Sequence, residues 1–391
     1  MKIIKIVPVF RTILAFLLFL LLTAFPCIAS EIEDNLAKCS SIKDDNAARL
    51  KCFDELANRQ ITAKDAAITR TDGKIVPQES STAKTSQITA KKEPAQGGKD
   101  VSVMEKHWDM SLAKDKERNI FVLWPYRPSY LLLATYNSSL NEDSQLDVDP
   151  NAKAQSNEAK FQLSFKFKIW EDLFQGAFKD AIEKKTGVRG IDVWVAYTQL
   201  SFWQLYNSAF SAPFRDTNYE PELLFNFRLQ HEIPHLMGTK LQFVNVGFNH
   251  QSNGRSKPLS RSWNRIVANA GLEKTFGAEK KDSFNILLKT WYRLPENDED
   301  DDNPDLSEYV GYGELWATLY WKNQRFALML RNNLRSENKG AVQLDWSFPL
   351  PLIGGKISAY LQYFNGYGEG LLDYNTSINR IGAGFMLTDW K

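Results

Sequence analysis

The sequence predicts an all-β fold, a closed antiparallel transmembrane β-barrel of about 12 strands, preceded by a short helical and disordered periplasmic N-terminal extension. Three observations lead there. Beyond about Arg118, apolar and polar residues alternate with a period of two through one segment after another, which is the pattern of a strand with two unlike faces. The segments are about ten residues long, the length that crosses a bilayer at a barrel's tilt. The chain also opens with an export signal, yet no later apolar run approaches the ~20 residues a spanning helix needs. A soluble β-sandwich would share the alternation, but it would not require this strand tally or aromatic residues near strand ends such as Trp291, Tyr292, Tyr320 and Trp321.

The N-terminus reads "MKIIKIVPVFRTILAFLLFLLLTAFPCIAS". Two lysines and Arg11 precede an apolar core from Ile13 to Phe25, and small residues follow at Ala29 and Ser30, so residues 1–29 read as a secretory signal. A membrane anchor is the alternative, with an apolar core short for the task. Cleavage would leave Cys39 and Cys52, on a helical segment over 30–57; in an oxidising compartment they are expected to pair. Residues 58–103 are rich in Ala, Lys, Thr, Ser and Gln and lack the apolar surface to offset ordering entropy, which makes them a flexible linker. The extension, residues 31–103, is a possible site of contact with a periplasmic partner.

Residues 104–391 are left for the barrel. Strands are expected near 128–137, 159–169, 189–201, 219–230, 239–250, 263–275, 282–293, 309–322, 325–333, 341–348, 355–364 and 379–388. "AVQLDWSF" sets Val342, Leu344, Trp346 and Phe348 against Gln343, Asp345 and Ser347; "RIGAGFML" sets Ile381, Ala383, Phe385 and Leu387 against Arg380, glycines and Met386. With both termini in the periplasm, the connections near 138–158, 202–218, 251–262, 294–308 and 365–378 fall outside the cell. That near 170–188 becomes a longer periplasmic turn with some helix. A formal net charge of +1 offers no basic face for nucleic acid.

Within "VGFNHQSNGRSKPLSRSWNR", residues 246–265, the strand pattern puts Val244, Val246, Phe248 and His250 on one face and Asn245, Gly247 and Asn249 on the other. If the first set faces lipid, His250 stands on the outer wall, where an ionisable group tends to mark function. Ser252 points the same way if the strand continues through it. A hydroxyl beside an imidazole forms a nucleophile and its general base when a third group orients the ring. Asn264, near the start of the next strand, can be that group because hairpin neighbours lie side by side. The plain alternative is a polar loop with a histidine at its edge.

The chain resembles the outer membrane phospholipases A. The resemblance rests on "YTQLSFWQLYN" at 197–207, "SAPFRDTNYEPELL" at 211–224, "NHQSNGRSKPLSRSWNR" at 249–265, "DDNPDLSEYVGY" at 301–312 and "NGYGEGLLDYN" at 365–375. It implies a calcium-dependent acyl hydrolase of phospholipids in the outer membrane of a Gram-negative bacterium, active as a homodimer. Ser252 would be the nucleophile, His250 the general base, Asn264 its orienting partner and the Gly254 N–H the oxyanion donor. It further implies Ca²⁺ held by the Arg255 carbonyl and the Ser260 hydroxyl, with Ser211 supplied by a second subunit, and Gln199 hydrogen-bonding across the dimer interface. The strand period groups Gln199 with Val193, Val195 and Tyr197 on one face; the alternative is a lumen-facing polar residue, which a slip of one residue would produce. Ala212 departs from the family, which often has a second serine there. The acidic run "ENDEDDDNPD" at 296–305 reads as a solvated external turn rather than a calcium cage. Two other functions fit the same barrel: a passive structural pore, and a lipid A deacylase.

Overall fold

The computed structural model describes residues 51–52, 102–110, 120–141, 153–174, 177–210, 213–233, 236, 238–277, 282–297, 299–351 and 357–389. The expected signal, Cys39 and nearly all of the linker lie outside them. Cys52 is disulfide-bonded.

Twelve long strands form the wall: β1 (Ser129–Asn137), β2 (Asn157–Trp170), β3 (Gly190–Trp203), β4 (Phe214–Glu232), β5 (Thr239–Ser252), β6 (Ser262–Phe276), β7 (Asp282–Arg293), β8 (Gly313–Trp321), β9 (Gln324–Asn332), β10 (Gly340–Pro349), β11 (Ser358–Gly366) and β12 (Ile378–Thr388). Each pairs antiparallel with its sequence neighbours, and β12 pairs back onto β1, so the sheet closes. A two-residue bridge, Trp124–Pro125, prolongs the first strand's track along β2. Closure matters because an open edge would leave backbone N–H and C=O groups unpaired in hydrocarbon, at several kcal/mol each.

The facing of side chains inverts that of a soluble protein. In β10 Val342, Leu344 and Trp346 are exposed while Asp345 and Ser347 are buried; in β12 Ile381, Phe385 and Leu387 are exposed while Arg380 is 1 % exposed. Apolar residues outward and polar residues inward are what a lipid solvent selects. The lumen is therefore filled with ionic networks. Arg380 joins Glu158 and Glu369, Lys160 joins Glu369, and Arg215 joins Glu158 and Asp373.

Three details differ from the sequence reading. β4 begins at Phe214, five residues early, and β8 begins at Gly313, four residues late. The reason for the second is a short helix, α3, over Leu306–Val310. Of the four aromatic residues expected at the membrane boundary, Tyr292 and Trp321 are exposed, but Trp291 and Tyr320 face the lumen. Adjacent aromatics on a strand must point to opposite faces. The turn between β2 and β3 does carry helix, α2 (Ala177–Thr186).

Ahead of the wall, α1 (Val103–His107) begins on the Ser102 cap, whose hydroxyl accepts from the Glu105 N–H. Ser102 and Val103 are therefore ordered, where the linker was expected to run. Met104 and Trp108 pack into a lumen cluster with Tyr126, Trp194 and Phe243, and the Lys166 ammonium sits 3.4 Å from the Trp108 ring centroid, a cation–π arrangement. α1 is anchored by Glu273 of β6, whose carboxylate accepts from the Met104 N–H at 3.3 Å and from Gln242 Nε2 at 2.9 Å. Replacing Glu273 with alanine strands the Met104 N–H and leaves Gln242 Nε2 only its bond to the Ser102 hydroxyl, so unfolding from lipid vesicles by urea is expected to show a loss of about 1–3 kcal/mol.

At one end of the barrel the connections are short, as at 322–323 between β8 and β9, except for 171–189, which carries α2. Those at the other end are 138–156, 204–213, 253–261, 294–312, 333–339 and 367–377. The second set is the end at which the candidate site lies.

Candidate active site

β5 carries the imidazole because its pleat does not break before the loop. The strand runs through Ser252, so residues 248, 250 and 252 share one side. Phe248 and His250 are exposed and Ser252 is half-buried, whereas Gln242, Asn245 and Asn249 are buried in the lumen. His250 and Ser252 thus stand on the barrel's outer wall. β6 is set by the same hairpin, with His250 opposite Asn264 and Ser252 opposite Ser262. Trp263 and Arg265 point inward, so Asn264 points out.

The register brings imidazole and amide into contact: His250 Nδ1 lies 2.8 Å from Asn264 Oδ1. That bond occupies one ring nitrogen and leaves Nε2 for a hydroxyl. Ser252 lies two residues further along the same strand, about 6.6 Å in Cα terms, and makes no hydrogen bond to the ring in this structure. Such bonds are often long before substrate arrives.

The site rests on a lumen-side brace. Asn249 and Arg265, the sequence neighbours of His250 and Asn264, both bond to Glu220 Oε1 of β4 at 2.9 Å, and Arg127 pairs with Glu220 and Glu222. Arg265 also stacks its guanidinium 3.9 Å from the Trp263 ring centroid. Alternation along two strands therefore couples an outer-wall pair to an inner-wall ion network. Glu220→Gln removes the charge on which this brace converges. It is expected to lower activity roughly 3–10-fold, by loosening the His250–Asn264 geometry, with unchanged calcium requirement in a fatty acid release assay.

The loop after β5 is shaped by Asn253. Its Oδ1 accepts from the N–H groups of Arg255 and Arg261, and its Nδ2 donates to the Leu259 carbonyl at 2.8 Å. That staple holds Arg255 and Ser260 in one compact turn. The Arg255 guanidinium donates to the carbonyls of Phe214 and Arg215, each at 2.8 Å, which ties the loop to the start of β4. Gly254 adopts φ +64°, and a Cβ there would lie 3.0 Å from the Tyr219 ring, so only glycine fits without strain.

Calcium takes oxygen ligands, six to eight of them in general. The Arg255 carbonyl and Ser260 hydroxyl are donors of that kind, and the Arg255 cation is directed away to backbone carbonyls. Among the described residues no cluster of three or more His, Cys, Asp or Glu side chains suits a metal, so a cation here would depend on neutral oxygens. Ser211 and Ala212 lie outside the described residues. Gln199 is half-buried on the outer face, accepting from the Tyr197 hydroxyl at 3.4 Å and donating to Ser201 at 3.2 Å; the lumen-facing alternative falls away.

Sequence reasoning did not assign Asn253, Glu220 or Glu296. The 294–305 loop packs beside the site: Asn303 accepts from the Ser262 N–H at 3.0 Å, Lys257 pairs with Asp302 at 3.3 Å, and Glu296 accepts from Asn264 Nδ2 at 3.1 Å. Nothing in the acidic run marks Glu296 from its neighbours. At the far side of the same loop Asp305 accepts from the Tyr374 hydroxyl, and burial first, that carboxylate second, push the phenol's pKa well up.

Comparison with known proteins follows the same geometry. The phospholipase A1 family model matches residues 104–387. A putative phospholipase A1 of Neisseria meningitidis serogroup B is 32% identical over 401 residues, covering 95% of each chain. The phospholipase A1 of Escherichia coli K12 is 35% identical over 69% of this chain and 83% of its own. Among solved structures, outer membrane phospholipase A from Escherichia coli superposes with a TM-score of 0.59 at 34% identity, covering 71% of this chain and 96% of that one. The calcium-bound dimer of the Salmonella typhi outer membrane phospholipase superposes with a TM-score of 0.59 at 33% identity, covering 70% and 95%. With a matched span that takes in the whole barrel wall but for one residue, this chain belongs to the phospholipase A1 family.

Proposed function

We propose that the protein is a calcium-dependent phospholipase of the outer membrane that hydrolyses acyl esters of outer-leaflet phospholipids and is active as a homodimer. One observation carries this reading: an imidazole held at 2.8 Å by a neighbouring amide on the lipid-facing wall of a barrel, where a polar group has no structural reason to be. The calcium-bound dimer of the Salmonella relative supports the cofactor and the assembly.

Ser252 attacks the ester carbonyl of a phospholipid lying against the wall. His250 takes the hydroxyl proton on Nε2 while Asn264 holds Nδ1, then returns the proton to the leaving lysophospholipid. Water, activated by the same imidazole, cleaves the acyl-enzyme and releases a fatty acid. The Gly254 N–H faces the developing oxyanion. The Arg255 carbonyl and Ser260 hydroxyl would hold Ca²⁺, with Ser211 of the partner subunit completing the set, and the cation would supply positive charge where the oxyanion forms. Gln199 lies at the dimer interface, where its amide can exchange its local bonds for bonds to a second copy.

The test is fatty acid release by the purified full chain from labelled phospholipid in detergent micelles, first with calcium and then with EGTA. Release is expected with calcium and is expected to fall to background on chelation. A passive pore gives no release in either state, and release from lipopolysaccharide instead of phospholipid identifies a lipid A deacylase.

A further inference from the structure

We infer that Glu296 is a positioning residue for the reaction, acting through Asn264 to fix the tautomer of His250. The inference rests on the reading of His250 as the general base. A terminal amide can face a neighbour with either its oxygen or its nitrogen, and the two choices have opposite consequences here. With Oδ1 toward the ring, Nδ1 must carry the proton and Nε2 is free to accept from Ser252. With Nδ2 toward the ring, Nδ1 must be unprotonated, so a neutral ring carries its proton on Nε2 and cannot act as a base toward the hydroxyl.

Glu296 decides between them. An ionised carboxylate only accepts, so the group 3.1 Å from its Oε1 must be Asn264 Nδ2, and Oδ1 is then the atom 2.8 Å from His250 Nδ1. The carboxylate, amide and imidazole form one chain with a single consistent direction of donation. It also places a negative charge one amide beyond the ring, a position from which it favours the imidazolium formed during attack. Nearby cations are committed elsewhere: Arg293 to Asp301 at 2.6 Å and Lys257 to Asp302. Glu296 is held near Asn264 by the backbone as well, because the Leu294 N–H donates to the Asn264 carbonyl at 2.8 Å.

A double-mutant cycle tests this on the purified full chain with calcium and micellar phospholipid. Glu296→Ala is expected to lower kcat about tenfold with KM within twofold, the size of one bond to a charged group. Glu296→Gln, which keeps an acceptor but loses the charge, is expected to retain more of kcat. In the Asn264→Asp background the sign reverses. The introduced carboxylate needs no orienting and is repelled by Glu296, so adding Glu296→Gln raises kcat above that of Asn264→Asp alone. A loop that merely packs would make the second substitution harmful in both backgrounds. An unchanged kcat in Glu296→Ala, or no reversal in the Asn264→Asp background, overturns the inference. Ser252→Ala serves as the separate control: if it remains active, the general-base reading itself fails, whatever Glu296 does.

Discussion

Ser252→Ala is expected to reduce phospholipid hydrolysis on the order of 10⁴-fold while leaving the barrel folded. In the proposed reaction its hydroxyl forms the acyl bond. Ser262, its cross-strand partner, stands on the strand of Asn264 and not on that of His250. Because nucleophile and base act as a unit, His250→Ala should cost about as much, and the double substitution little more than either alone. Folding is checked separately: Ser252 is a half-buried strand-end residue making no hydrogen bond to the ring, so heat-modifiable migration on gels should match the native chain. Fatty acid release above one hundredth of the native rate would remove Ser252 from its assigned role.

Gly254→Ala is expected to lower kcat roughly 10²–10³-fold, the range for losing one oxyanion donor. Two features act together. At φ +64° a Cβ is strained, and it would approach the Tyr219 ring to 3.0 Å, so the peptide must rotate or the ring must move. Tyr219 is not free to yield without consequence, since it pairs across β4 with both Gln199 of β3 and Ser252 of β5. The rotated peptide would carry its N–H away from the reacting carbonyl. Steady-state kinetics should therefore show the loss in kcat, with KM little changed. A loss confined to KM would mean that this amide binds substrate without stabilising the transition state.

Much of the fold was legible because lipid imposes a strict rule. Strands that must present apolar residues outward and polar residues inward show a clean period of two, as β10 does over Val342–Ser347 and β12 over Arg380–Phe385. The hairpin of β5 and β6 was equally readable: a short loop places Asn264 opposite His250, and period two puts His250, Ser252 and Gln199 outside. Where alternation was not applied strictly, the reading slipped. Trp291 and Tyr320 were grouped with their neighbours as boundary aromatics, although adjacent residues cannot share a face. The start of β8 was missed because a five-residue helix, α3, gives too few residues to display its own period.

The brace and the orienting carboxylate were illegible for a different reason. Glu220 meets Arg127, Asn249 and Arg265 only because three strands and the segment ahead of β1 converge on one lumen, and Glu296 meets Asn264 only because a long loop folds back over β6. Neither contact has a signature in local spacing. Their charges look like those of any polar interior or acidic turn until the partners are seen.

The placement of His250 on the outer wall has a kinetic consequence. An enzyme whose reacting groups open sideways into hydrocarbon needs no entry channel, and both products can depart laterally as membrane constituents. Encounters then take place in two dimensions. Turnover should follow the mole fraction of substrate at the surface, so diluting the phospholipid with inert detergent at constant total amount slows the reaction, while diluting the whole suspension with buffer leaves it nearly unaffected.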